Sequence, residues 1–202
     1  MGFFSNFKNS GTKKGEQIAD FIIALAGDRE FAQVLASTPK PMSHRLMIDH
    51  ILVCSGAATY ALTLSLKGKP DDMKLVYVSM MDRLVFYLEK MRDSGVNFNV
   101  RDIIVDEEEK GIFLRQGWLL NETTSIYTIF DVIGDHRMER YSRAIVEGLV
   151  QSIQESNGGM RMTAKLMQET KKSCGKEDFP YLELKMIYTN CIVKIVQLCG
   201  TK

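Results

Sequence analysis

Apolar residues recur every three to four positions along most of this chain, the spacing that places them on one face of a helix. From Glu16 to Ala26 they are Ile18, Phe21, Ile22 and Leu25, and after a Gly27-Asp28 break they resume at Phe31, Val34 and Leu35. Asp28 carries a capping side chain for the second segment. Pro39 and Pro41 drive the residues before them out of helical geometry, so 38–42 reads as a stiff connector.

Residues 44–66 break the one-sided pattern. Leu46, Met47, Ile48, Ile51, Leu52, Val53, Ala57, Ala58, Ala61 and Leu62 cover almost every direction around a helix, with Ser43 as its expected cap. A helix apolar on all sides must be wrapped by others. The small residues Ser55, Gly56, Ala57 and Ala58 predict a close neighbour.

After Gly68-Lys69-Pro70, further helices are expected over 71–92, from Asp106 with its cap-like Glu109 through Trp118 and Leu119, over 123–133 and 137–154, over 160–172, and over 181–199 behind Phe179-Pro180. Gly134-Asp135 reads as an interruption and Gly158-Gly159 as a turn. The pattern thus predicts an all-α fold, an irregular bundle of about seven or eight helices around the central helix 44–66. Val96 to Val100 alternates with period two, and 125–133 is rich in β-branched and aromatic residues, so a small β element within 75–133 is the competing reading. Residues 1–15 read as a flexible N-terminal arm, polar and glycine-rich over 8–15, and 16–202 as a single helical domain. Phe3, Phe4 and Phe7 share a helical face, docking onto the domain or making a weak peripheral membrane contact.

Composition narrows the classes. A chain of 202 residues buries enough surface to fold without disulfides or metals. Its 26 basic and 25 acidic side chains lack the basic excess of a nucleic-acid binder, and no helix-turn-helix pattern occurs in 16–60. No two of Cys54, Cys174, Cys191 and Cys199 form a CxxC pair, and three sit in apolar runs, which suits buried thiols in a cytoplasmic protein. No transmembrane segment is expected, since 51–66 is short and carries Ser55, Thr59, Thr63 and Ser65. The first residues lack the pattern of a signal peptide.

Candidate chemistry is sparse. His44 and His50 point in different directions, and His136 with Glu139, three apart, is a weak metal or acid–base pair that a solvated helix start explains better, with Arg137, Glu139 and Arg140 in water. Gly11 to Gly15 lacks the spacing and preceding strand of a phosphate-binding loop. No GxSxG element is present, and no nucleophile pair is read in which a cysteine has a histidine near it in sequence. No cofactor, catalytic residue or metal ligand is therefore assigned. Asp102, Asp106, Glu107, Glu108 and Glu109 form an acidic cluster, and Arg161, Lys165, Lys171, Lys172 and Lys176 a basic one.

The leading expectation is a non-enzymatic interaction or regulatory protein, a homodimer, without nucleic-acid partners. Its contact residues would be Met160, Arg161, Lys165, Met167 and Trp118, from a methionine-rich basic helix and the single tryptophan. The alternative is a small-ligand-binding bundle with a pocket near His50, Tyr60 and Trp118. An enzyme using dispersed residues, Asp49 with His50 or His136 with Glu139, ranks third.

Overall fold

The apolar stretch that cannot face water becomes the centre around which the other helices gather. The computed structural model describes residues 3–154, 160–175 and 178–200, with side chains from Ser10 onward except at 151–154, 160–162 and 200. Along the chain the elements are α1 (Phe3–Ala26), α2 (Arg29–Ser37), α3 (Met42–Ser65), α4 (Pro70–Asp93), β1 (Asn97–Asn99), α5 (Val100–Ile103), α6 (Glu107–Arg115), β2 (Thr123–Ser125), α7 (Ile126–Gln154), α8 (Met160–Cys174) and α9 (Tyr181–Gly200).

Helix α3 is buried almost continuously from Leu46 to Leu62 and packs mainly against α7 and α9, with α1, α2 and α8 completing its surroundings. It is long and apolar enough to cross a membrane, yet most of it lies inside the fold. Its hydroxyls turn back onto the helix itself: Ser55 and Thr59 donate to the carbonyls of Ile51 and Ser55 at 2.8 and 2.9 Å. The expected small-residue approach is made at Gly56, where a Cβ would stand 3.1 Å from the Met138 carbonyl oxygen and 3.2 Å from Tyr141 Cβ. Ser43 is not the cap. Pro41 holds that position without a side-chain hydrogen bond, and Ser43 is buried inside the first turn.

Residues 8–15, expected as a flexible lead-in, continue α1. The glycine read as loosening the chain instead lets α1 and α4 touch. A Cβ on Gly15 would collide with the Val76 carbonyl oxygen and lie 2.8 Å from the Met80 nitrogen. Asp20, Arg83 and Tyr87 tie the same pair at its surface, through contacts of 2.8 and 2.9 Å to Asp20 Oδ1.

The competing reading of the middle is realised as a two-stranded antiparallel ribbon, with Phe98 opposite Thr124 and both buried. The helix expected over 123–133 therefore begins three residues later, as α7. It then runs through Gly134-Asp135 without interruption, because both flanking segments keep one buried face against α3. Helix α6 stops at Arg115, leaving Trp118 in the following loop, half-buried against the core. Asp28 caps α2 as expected, accepting from the Glu30 amide at 2.9 Å. Gly158-Gly159 and the side chains of Phe3, Phe4 and Phe7 lie outside the described residues.

Candidate functional site

Asp49 and His50 are consecutive on α3, so their side chains leave the helix about 100° apart. Both are fully buried and each enters a different polar cluster.

Asp49 faces α7. Arg137, one turn from the buried Ile133 and Tyr141, is itself completely buried, and its Nη1 lies 3.5 Å from Asp49 Oδ1. The same guanidinium donates to both oxygens of the buried Glu109, at 2.8 and 2.7 Å, in a two-pronged bond. Arg140 adds contacts to Glu109 at 3.2 Å, Glu169 at 3.1 Å and Asp106 at 3.5 Å. The Tyr141 phenol donates to Asp49, and the Ser173 hydroxyl lies 3.0 Å from it. Burial pushes the Asp49 carboxyl up to about 6, with Arg137 and Tyr141 pulling it back. Burial also acts against the Arg137 charge, but Glu109, Tyr141 and Asp49 outweigh it and hold the guanidinium above its ordinary value.

The expectation that Arg137 and Arg140 are solvated is thus overturned: Arg137 is drawn inward by carboxylates of α3 and α6, and Arg140 by those of α6, its cap and α8. Glu109 was expected to close a capping box. Asp106 does cap α6, accepting from the amides of Glu108 and Glu109, but the Glu109 side chain turns into the core instead. His136 lies 3.9 Å from Glu108, whereas Glu139 pairs with Arg143 at 2.6 Å, so His136 and Glu139 are not brought together. Members of the acidic and basic clusters are paired with charges outside both clusters, Glu107 with Lys110, Lys165 with Glu147 and Lys172 with Glu169.

His50 faces α2 and α9. Its ring stacks on Phe31, with centroids 4.0 Å apart, and tilts against Tyr188 at 5.5 Å. One helical turn on, Cys54 Sγ stands 3.8 Å from His50 Nε2, and Cys191 reaches the same point from α9. The donor atoms of His50, Cys54 and Cys191 all lie within 4.8 Å of one another, and all three residues are buried. Among the described residues His50 Nδ1 and the Tyr188 hydroxyl have no hydrogen-bond partner. Contact with the Cys54 thiol, helped by His50 and Lys194, lowers the Cys191 thiol below its ordinary range against the effect of burial. The Cys54 thiol is raised by the same pairing and by burial. Cys191 also borders a cleft of about 100 Å³ that includes Asp28, Glu30, Asn190 and Lys194. The sequence reading, which assigned no metal ligands, misses this cluster. The i, i+4 spacing of His50 and Cys54 is its one local signal, and a search for adjacent residues passes over it.

Of the expected contact residues, Met167 is fully buried, Lys165 is paired with Glu147 and Trp118 is half-buried, while the side chains of Met160 and Arg161 lie outside the described residues. Of the residues of the alternative pocket, His50 is enclosed by rings, Tyr60 is roughly 15 Å farther along α3, and Trp118 follows α6. Exposed apolar area is instead found on α9. Leu182 is 73% exposed, Met186 71% and Val193 47%, and the three project within about 40° of one another. Compared with known proteins, the chain matches no family model, no curated protein and no solved structure.

Proposed function

We propose that this protein is a non-enzymatic interaction or regulatory module of the cytoplasm that works as a homodimer, pairing with a second copy through the outer face of α9. The observation that carries this reading is the α9 stripe of Leu182, Met186 and Val193, three large apolar side chains on one line with Leu182 and Met186 almost bare. Isolated exposed apolar residues are ordinary, whereas an aligned set marks a surface meant to be covered.

The charges beside the stripe favour a second copy as the cover. Glu183 and Lys194 are the exposed charged residues of this helix, and neither is ion-paired within the described residues. They lie about 20° apart around α9 and about 16 Å apart along it, on the same flank of the stripe. A two-fold axis perpendicular to α9 and passing between Tyr188 and Thr189 sets two copies antiparallel. Same flank then meets same flank, and Glu183 of each copy lies opposite Lys194 of the other. Such self-complementarity is what an isologous interface requires. The buried free thiols fit a reducing compartment.

The test is charge exchange. Glu183→Lys alone and Lys194→Glu alone each place like charges across the axis and weaken association. Combining the two restores opposite charges, so the double variant self-associates more tightly than either single one. Sedimentation velocity on dilution series measures this, and a double variant no tighter than the singles contradicts the antiparallel pairing.

A further inference from the structure

We propose that His50, Cys54 and Cys191 form a binding site for one thiolate-preferring d10 cation, Zn²⁺ or Cu⁺, held between α3 and α9. The site does not rest on the α9 pairing proposed above, although Lys194 borders both the cleft beside Cys191 and the paired flank.

The donor set comes first. Two thiolates and an imidazole are the ligands that select these ions over magnesium, calcium or manganese, which prefer oxygen. Carboxylates do not take part: Asp49, beside His50 in sequence, is turned away to Arg137 and Tyr141.

Geometry comes second. His50 and Cys54 share a face of α3 by their i, i+4 spacing, and α9 lays Cys191 across them. With metal–sulfur and metal–nitrogen bonds of about 2.3 and 2.0–2.1 Å, ligand atoms around a bound ion are roughly 3.5–4 Å apart. The Cys54–His50 separation of 3.8 Å already meets this, and no pair exceeds 4.8 Å. Closing the widest pair takes about 1 Å, within reach of cysteine side-chain rotation.

Ring orientation comes third. Phe31 and Tyr188 hold the imidazole by stacking, and the nitrogen it turns toward the thiols is Nε2, 3.8 Å from Cys54 Sγ. An ion bound there would give this buried nitrogen the partner that its apolar surroundings do not supply.

Access is provided as well. Cys191 forms part of the wall of the surface cleft, so an ion arriving there meets its sulfur before the two deeper ligands. Asp28 and Glu30 at this cleft favour a cation, and Lys194 opposes it. Three protein ligands and a side open to the cleft suit a trigonal Cu⁺, or a Zn²⁺ whose fourth position holds water.

Binding would join α3 to α9, and α2 indirectly through Phe31 on His50. A ligand that binds only the folded chain also raises the midpoint of unfolding.

The full-length chain, reduced and stripped with chelator, is titrated with Zn²⁺ and, in a separate anaerobic arm, with Cu⁺, each against a chromophoric competitor. Cd²⁺ serves as a probe, because thiolate ligation gives an ultraviolet charge-transfer band. The expected result is one equivalent of Zn²⁺ or Cu⁺ per chain, a cadmium–thiolate band and a higher thermal midpoint. Cys191→Ser, which nearly preserves shape, should weaken binding by more than the roughly 10–100-fold caused by losing a residue that merely supports a ligand. Cys54→Ala should do the same. Cys199→Ser, at a buried thiol outside the cluster, should bind as wild type. Circular dichroism checks that each variant is folded, and if Cys54→Ala is not, Cys191→Ser decides alone. Neither ion being retained at one equivalent, or Cys191→Ser binding as wild type does, overturns the proposal.

Discussion

Arg137 has no exposed surface and meets carboxylates on two sides, so the seam between α3, α6 and α7 depends on charge pairing as well as on apolar contact. Removing one member of a buried pair leaves the other charged and unsolvated, at a cost of about 3–5 kcal/mol, whereas apolar replacement of both is often neutral. Glu109→Ala should accordingly lower the free energy of unfolding by about 3–5 kcal/mol. Replacing the whole buried set, Glu109→Leu with Arg137→Met and Asp49→Asn, should recover most of that loss. Denaturant melts of the three proteins measure the difference, and a triple variant as weak as Glu109→Ala contradicts the pairing account. The position of Arg137 was legible in part. It falls in step with Ile133, Tyr141 and Ala144, all buried, so the helical pattern placed it inward while its charge argued for water. Helical period says where a side chain points, but the carboxylate that makes burial tolerable comes from α6, and local spacing carries no trace of it. Cys191 is hidden for the same reason. It joins His50 and Cys54 only because α9 crosses α3.

Among the elements, α3 was the most legible, because an all-round apolar helix has few solutions in water and burial is the commonest. Helix α1 shows the opposite case. The glycines and lysines of 8–15 favour a loose segment by propensity, yet packing against α4 makes the segment helical, with Gly15 at the point of contact. Gly15→Ala should therefore destabilise the protein by about 1–3 kcal/mol, since backbone rather than a flexible side chain must move. Gly27→Ala, where the nearest atom would be 3.6 Å away, should leave stability within about 0.5 kcal/mol. Equal thermal midpoints for the two variants would show that α1 and α4 do not pack as described. The strand–helix ambiguity over 96–133 was also real. Residues 97–99 and 123–125 pair with each other, and α7 takes over at Ile126, where the buried face begins to repeat at helical spacing.

At the scale of the molecule, buried acids shape the response to pH. Burial raises the Tyr141, Tyr188 and Cys174 side chains well above their ordinary values of 10 and 9, and Cys199 to about 11. Each stays protonated in the folded chain after the unfolded chain has released its proton. Their contribution is intact below the unfolded values and diminishes as pH rises through 9 toward 11 and beyond. Thermal melts under reducing conditions should show a midpoint that falls steeply across pH 9–11, and a flat or rising midpoint there contradicts the burial of these groups. Several charges near α7 and α8 are paired within the chain, as Lys165 is with Glu147 and Lys172 with Glu169. The α9 face stays uncovered in the single chain, and the functional account rests on its being covered by a second copy. Light scattering coupled to size exclusion tests that claim most directly. The wild-type chain should elute with twice the 22.9 kDa of one chain, and Met186→Glu, changing a side chain 71% exposed, should elute as a folded monomer. A wild-type mass of 22.9 kDa at every concentration, or a dimer that Met186→Glu leaves intact, contradicts it.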